Sequence, residues 1–513
     1  MKQKHLQINP YTLLANIGLE KESLRVTNRG RLAQTPHPFP DDPNLDVDFS
    51  ANQMEFITGI HSSPTKVYDE LWRLHRRALR TMTQREAGAE FFWPFSNPPY
   101  VASEQENLPM QFEDENRWKT EYREHLRRRY GTRLMLYSGI HFNFSFQEEF
   151  FAAAGLDTKE DRNEAYLNLA AWATRYAWLV VYLLAASPVM DPSILGEFGD
   201  DISACRNSAV GSTSPADRSS ADRLHTNPLP VGRTGGNERT EGNEESGETP
   251  GAGETADATS RSDQLHRYAS PRCSEMGYWN TFDPVLDYRD FDKYIHSVQR
   301  YVDDGTLMYP AELYYPVRLK PAGRYGMAAL EQDGISHIEI RTVDENPYSP
   351  VGILPEDIQF LHLLMVYLMH QPRKDFPPEE QIQALHNMKT AALYDDSAKL
   401  SLGLPSRLSS MRSTELRSGL PSRHTLELSL GKSTRCAARS ALHDMEGFFR
   451  RGAFTRTEQA YIRETLDYQW KKFAPGGRTA ERVRQDFETD YNEKGLRLAQ
   501  QHAATILSGF PFE

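Results

Sequence analysis

Four short runs of period two, each with charged or polar residues on one face, constrain this chain more than any other feature. In Gly18–Val26 (GLEKESLRV) Glu20 and Glu22 are two residues apart, and on a strand residues i and i+2 share a face. Lys21, between them, is expected on the other face and at the surface. Glu55 opens the apolar pair Phe56-Ile57 in the run Gln53–Thr58. In Leu136–Phe146, His141 and Asn143 share one face while Ile140, Phe142 and Phe144 take the other. In His337–Val343, Glu339 and Arg341 oppose Ile338 and Ile340. Helical patterns separate these runs. Ser63-Pro64 followed by Val67, Leu71, Leu74, Ala78 and Met82 predicts an amphipathic helix with its start signal. Residues 163–186 and Pro355–His370 are apolar nearly all round, as in helices buried in a large core, and Arg482–Ile506 reads as one charged C-terminal helix. Strands and helices mix without a regular βαβ alternation, which predicts an α+β fold around an antiparallel sheet. Neither G-x-x-x-x-G-K-[ST] nor G-x-G-x-x-G is present, so the P-loop and Rossmann readings lose their main support.

Taken singly, each wet face has an ordinary explanation, because a half-buried strand shows one oily and one polar side. Taken together, four converging polar faces would gather four or five carboxylates and one histidine. Two bare carboxylates about 4 Å apart repel by roughly 1–4 kcal/mol, so such a cluster calls for cations. Oxygen-rich ligation with little nitrogen and no thiolate favours Mg²⁺ or Mn²⁺ over zinc. Glu20 and Glu22, about 6.6–6.8 Å apart on a strand, suit two neighbouring ions. A guanidinium beside such ions suits phosphoryl transfer from a nucleotide, because both neutralise the moving phosphate. A carboxylate-pair hydrolase could use the same acidic cluster, but it leaves Arg123, Arg272 and Arg341 without a purpose.

Composition removes other classes. A net charge of −12 over 513 residues argues against a polyanion-binding surface. The first ten residues, MKQKHLQINP, hold no apolar signal segment, and the most apolar run, Ala177–Ala186, is half a membrane span. Three cysteines form neither a disulfide framework nor a C-x-x-C metal site. The expectation is a soluble, cytoplasmic protein without nucleic-acid or membrane partners, its oligomeric state unread. Residues 199–266 hold no Phe, Tyr or Trp and only six large aliphatics. Burying those six could return roughly 10–18 kcal/mol against an ordering cost on the order of 70–140 kcal/mol, so a disordered insertion is expected there. It would split one catalytic domain into 1–198 and 267–395. A helical C-terminal part, 396–513, would follow, with a repetitive polar segment at 400–435 in which GLPSR and LSLG each occur twice.

Seven segments in order carry a resemblance: GLEKESLRV (18–26), D-F-x₅-E-F-I-T (48–58), Y-R-E-x-L-x-x-R-Y-G (122–131), SGIHFNFS (138–145), SPRCSEMGY (270–278), ELYYPVR (312–318) and IEIRTVDENPYSP (338–350). Together they resemble glutamate–cysteine ligase of the bacterial group, over roughly residues 15–195 and 268–370. The resemblance implies a glutamine-synthetase-like fold, its antiparallel sheet curled into a funnel. It implies ATP-dependent, Mg²⁺-dependent ligation of the γ-carboxylate of L-glutamate to the amine of L-cysteine through γ-glutamyl phosphate. Carried onto this chain, the metal set is Glu20, Glu22, Asp48, Glu55, His141 and Glu339. Arg123 and Arg341 would hold the phosphate. Phe49, Tyr122, Leu126, Asn143, Arg272, Tyr278 and Tyr314 would bind substrate, Arg272 meeting the cysteine carboxylate. Met135 stands where relatives carry a polar glutamine facing that pocket, which keeps open a ligase that activates glutamate for a different amine. No second nucleotide-binding module is read after residue 370, so the glycine-adding step is expected to be absent. A non-catalytic relative would have lost ligands, and all six candidates are present.

Overall fold

β1 (Ala15–Thr27) is thirteen residues long and organises the sheet. The computed structural model describes residues 6–113, 116–194, 267–323, 326–402 and 432–509. The expected insertion at 199–266 and the repeat units at 403–407, 419–423 and 428–431 lie outside the described residues. Beside β1 run β2 (Leu45–Val47), β3 (Gln53–Ile57), β4 (Glu90–Phe92), β5 (Ile140–Phe146), β6 (Val317–Lys320) and β7 (His337–Val343). The order is β2-β3-β1-β5-β7-β6, with β4 on the end of β1, and the pairings are antiparallel. The expected mixture of helices with an antiparallel sheet is therefore observed.

Register aligns the polar residues. Glu22 lies opposite Glu55, Glu20 opposite His141, and Asn143 opposite Glu339, which in turn faces Arg318. Directly opposed residues of an antiparallel pair project to the same side, so the four separate sequence patterns become one polar face. The other face carries Leu19, Met54, Phe56, Phe142, Phe144, Ile338 and Ile340, all buried.

The helices at 64–82, 159–184 and 355–369 pack against the sheet. In chain order the helices are α1 (Pro64–Met82), α2 (Arg117–Tyr130), α3 (Glu148–Ala154), α4 (Lys159–Leu184), α5 (Phe291–Asp303), α6 (Met327–Asp333), α7 (Pro355–Met369) and α8 (Pro378–Ala391). Four more follow: α9 (Thr434–Arg450), α10 (Arg456–Lys471), α11 (Thr479–Phe487) and α12 (Tyr491–Ser508). α1 starts where its signal placed it, with the Ser63 side chain accepting from the Lys66 amide and proline in the first turn. α4 is capped by Thr158 and is buried along most of its length against β6, β7 and α8. Each fully buried Leu or Phe there stabilises by about 1.5–3 kcal/mol.

Three local expectations change. The run 136–146 becomes a 3₁₀ turn at Leu134–Leu136 and a strand from Ile140. The single helix expected over 482–506 is two, α11 and α12, broken at Asp490, whose φ of 58° is left-handed and cannot continue a right-handed helix. Lys21 does point away from Glu20 and Glu22, but into the core, 2% exposed, where its Nζ lies 2.7 Å from Glu345 Oε2. The C-terminal helices share the same compact unit as the sheet. α12 packs on α1 and β4, and Gly495 lets it lie on the Trp93 ring, since a Cβ there would stand 2.3 Å from that ring. Among the described residues no helix is long and apolar enough to cross a membrane.

Candidate active site

The polar face contains one ligand-sized cluster among the described residues. Atoms of Glu20, His141 and Glu339, from β1, β5 and β7, lie within 4.8 Å of one another. His141 Nδ1 is 3.2 Å from Glu20 Oε2 and 3.3 Å from Glu339 Oε1. Asn143 donates to Glu20 Oε1 at 3.1 Å, while its own Oδ1 is buried without a partner. Glu339 is fully buried and its Oε2 also lacks a partner. A buried acceptor left open is costly, and an oxygen-rich donor set with one imidazole fits a divalent cation.

Beside this cluster stand the other expected ligands. Glu22 Oε1 lies 3.7 Å from His141 Nε2, and Glu22 Oε2 accepts the Gly139 amide at 2.8 Å. Glu55 faces Glu22 across the β1–β3 pair, and Asp48 is exposed just beyond. Electrostatics divide the face in two. Burial opposes ionisation of Glu339, but Arg341, Lys320 and His141 outweigh it and hold its pKa well below the ordinary range. Glu20 is likewise lowered, its burial offset by the His141 hydrogen bond and Lys320. Glu22 is pushed up to about 8, first by burial and then by Asp48, despite Arg272 and Arg341 nearby. Glu55 is pushed well above its usual value by burial and by Glu20, Asp48 and Glu22. Burial and Arg341 lower the His141 pKa, keeping its imidazole neutral, as a metal ligand must be.

The arginines differ in how far they are committed. Arg123 reaches from α2 to donate to the Val47 carbonyl at 2.7 Å, its guanidinium over the Phe112 ring and its Nη1 buried without a partner. Arg341 donates to Glu339 Oε1 at 3.0 Å. The register of β5 with β7 slips between Ile140 and Phe142, so Arg341 and Thr342 together oppose His141. Such a bulge bends its strand and redirects side chains. Arg272 caps it, donating to the carbonyls of Arg341 (3.0 Å) and Val343 (2.6 Å) and to Asp344 Oδ1 (3.3 Å). Asp344, buried, also accepts from Ser270 Oγ and the Ala186 amide. Thus Arg272 stands at the site edge but is tied to the bulge by all three of its nitrogens.

Phe49, Leu126, Met135 and Tyr314 form one buried cluster with Tyr130, and Tyr122, Tyr278, Leu134 and Trp279 pack on it. The residues expected around the amine substrate, Arg272 and Asn143 excepted, therefore meet, and Met135 is among them at 4% exposure. The Tyr278 and Tyr314 hydroxyls hydrogen-bond to each other, and burial raises both pKa values, so both stay protonated. Asp48, next to Phe49, links the halves: its charge acts on Glu22, Glu55 and Arg123 and also on Tyr122 and Tyr278. Sequence reasoning passed over Arg318 and Lys320. Lys320 Nζ lies 3.5 Å from Glu339 Oε1, and burial with the nearby Arg341 lowers the Arg318 pKa. Their i, i+2 spacing carried the same signal as Glu20 and Glu22.

The family model for glutamate-cysteine ligase matches residues 4–211 and 254–391. The glutathione biosynthesis bifunctional protein of Listeria innocua is 31% identical over 399 residues, covering 75% of this chain and 44% of that protein. The glutamate–cysteine ligase of Vibrio vulnificus is 31% identical over 388 residues, covering 68% of this chain and 63% of the relative. The chain thus spans less than half the length of the Listeria bifunctional relative. Glutamate–cysteine ligase from Francisella tularensis, solved in complex with AMP, aligns with a TM-score of 0.72 at 19% identity over 99% of this chain and 91% of that one. A bifunctional glutathione synthetase from Pasteurella multocida gives 0.65 at 21%, over 98% and 54%. At those identities the likeness establishes a shared fold.

Proposed function

Since the chain belongs to the glutamate–cysteine ligase family, we propose that it joins the γ-carboxylate of L-glutamate to the amino group of L-cysteine. ATP drives the step through γ-glutamyl phosphate, the first reaction of glutathione biosynthesis. The observation that carries this reading is a single sheet face on which Glu20, His141 and Glu339 cluster, with an open buried oxygen, beside Arg341.

Glu20, His141 and Glu339, with Glu22, Glu55 and Asp48 beside them, would hold Mg²⁺, with Mn²⁺ as the chemical alternative. Bound there, the metal supplies charge neutralisation on the ATP phosphates. In this reading the strands curl so that the polar face lines a funnel. Arg123, through its open Nη1, and Arg341 hold the transferring phosphoryl group. A glutamate γ-carboxylate oxygen attacks the γ-phosphorus and ADP leaves. The cysteine amine then attacks the acyl carbon, and inorganic phosphate departs with the C–O bond electrons while the amine loses a proton. Asn143 and the cluster of Phe49, Tyr122, Leu126, Tyr278 and Tyr314 orient the substrates and exclude water from the acyl phosphate. Arg272 meets the cysteine carboxylate with the N–H groups its bulge contacts leave open. A reaction that consumes ATP and a free thiol belongs in a reducing compartment, the cytoplasm.

Met135 favours a second reading, in which the buried, apolar wall of the pocket selects an amine other than cysteine. Purified protein incubated with ATP, Mg²⁺, glutamate and a panel of amines decides between them. Equimolar γ-glutamylcysteine, ADP and phosphate are expected with cysteine. Preference for another amine would establish the second reading, and phosphate release independent of any amine would overturn both.

A further inference from the structure

Helix α2 carries Tyr122, Arg123 and Leu126, yet only Leu126 and Tyr130 of its fourteen residues are buried. Apolar packing fixes it along one edge only, through Tyr122, Leu126 and Tyr130. Arg123 donates to the Val47 carbonyl and Arg129 Nη1 to that of Thr306 at 2.7 Å, while three of the helix's side chains meet one fully buried carboxylate, Glu312, at the end of the turn Pro310–Glu312. Glu312 Oε1 is 3.0 Å from Arg129 Nη1 and accepts the Tyr130 hydroxyl at 3.0 Å. Oε2 lies 3.1 Å from His125 Nε2 and accepts the Met308 amide at 2.7 Å. His125, Arg129 and Tyr130 all belong to the last turns of α2, so a single carboxylate ties that helix to segment 308–312. The network then continues to the other wall of the aromatic pocket. Asn280 donates to the Glu312 carbonyl at 2.9 Å and to the Tyr130 hydroxyl at 3.2 Å, and its Oδ1 accepts the Tyr314 amide at 2.8 Å. Tyr278 lies two residues before Asn280.

We propose that Glu312 is a positioning residue for the amine pocket. By docking α2 it sets Tyr122 and Leu126 against Tyr278 and Tyr314, whereas Arg123 is held separately, by the Val47 carbonyl and the Phe112 ring. A carboxylate is suited to this task because it offers acceptors on both oxygens, one to the Arg129 and Tyr130 donors and the other to the His125 and Met308 ones. An amide of the same shape must turn a donor toward one of those pairs. What the pocket holds rests on the ligase reading; the docking does not.

The test is Glu312→Gln in the full chain, read in two ways. Hydrogen–deuterium exchange should quicken in residues 117–130 and leave β1 and β5 unchanged. Steady-state kinetics should show the KM for cysteine rising about tenfold, the scale of removing one buried charged hydrogen bond. The KM for ATP and the Mg²⁺ requirement should stay within about twofold, as for sites not sharing the network. Unchanged exchange in α2, exchange faster throughout the chain, or equal rises in all KM values would each overturn the proposal. Tyr130→Phe, which removes one hydroxyl and keeps the ring, should shift both readouts the same way by less, and it decides the matter if Glu312→Gln does not fold. Absence of γ-glutamylcysteine with the parent protein would defeat the ligase reading alone, because the exchange measurement still tests the docking.

Discussion

On the core side of β1, Lys21 and Glu345 form an ion pair of 2.7 Å with side chains 3% and 1% exposed. One residue away in either direction, on the opposite side, Glu20 and Glu22 stand with Glu55, Asp48 and Glu339. There charge is unevenly matched: the charges that act most on Glu55 are all carboxylates, Glu20, Asp48, Glu22 and Asp46. The first assembly is closed in charge, one lysine on one carboxylate, although Glu345 Oε1 has no hydrogen-bond partner. The second is a surplus, divided again between Glu20 and Glu339, which protein cations keep ionised, and Glu22 and Glu55, which burial and like charge drive toward the protonated form. Adjacent residues of one strand thus face opposite tasks. Neutralising the closed pair should damage the fold, and neutralising the surplus should damage function while sparing it.

The largest expected effect is on the closed side. Lys21→Ala strands Glu345 in the core, and breaking a buried pair costs about 3–5 kcal/mol. Urea unfolding should show the midpoint falling with little change in slope. A variant as stable as the parent would break the contrast at its base. Next, Glu22→Gln keeps volume and removes one surplus charge. kcat should fall by at least ~10²-fold, the scale of removing one electrostatic interaction from a transition state, with a raised Mg²⁺ requirement. The metal-free variant should be no less stable than the parent by the same urea assay. Near-normal turnover at limiting Mg²⁺ would remove Glu22 from the site.

Arg272 sharpens the comparison, because it sits where the bulge and the site meet. An ammonium has only three donors, so it cannot serve Asp344 and two carbonyls and also bind a carboxylate in two-pronged fashion. Arg272→Lys should raise the KM for cysteine about tenfold while those for ATP and glutamate move less than about threefold. Equal changes in all three would assign Arg272 to the bulge alone. The smallest single step is a pH slope. Glu22 binds its proton with a pKa of about 8 in the folded protein against an ordinary 4.5. Between those values the folded chain holds a proton that the unfolded chain has lost. Stability of the metal-free protein should therefore decline as pH rises from about 5 to 8, by at most about 1.4 kcal/mol per unit for this group. Glu20 and Glu339, held below the ordinary range, lose their contribution only under acid conditions outside that window. Saturating Mg²⁺ should flatten the slope, and Glu22→Gln should remove this group's share of it. Melting temperatures that stay level in chelator across pH 5–8 would contradict the division of the face.

Much of this was legible without the tertiary structure. The period-two runs at 17–26, 53–58 and 337–343 gave strands close to those observed, and the motifs named the carboxylates that share the polar face. Arg318 and Lys320 obeyed the same spacing and could have been read with them. Other features had no local signal. The partner of Lys21 is Glu345, far along the chain, so a lysine that alternates out of the site looked solvated. The bulge opposite His141 and its cap by Arg272 join β5, β7 and the 270–273 turn, and none of those segments alone encodes the slip. Glu312 reads as the first letter of a motif, and only the approach of α2 makes it a hub.

Which way each side chain points is thus a property of the sequence, because backbone period fixes direction within an element over a few residues. Which charges are paired and which are left over was decided by tertiary structure. Pairing depends on register between strands and on the approach of residues far apart in the chain, where the balance of burial against nearby charge is set by neighbours that no local pattern contains.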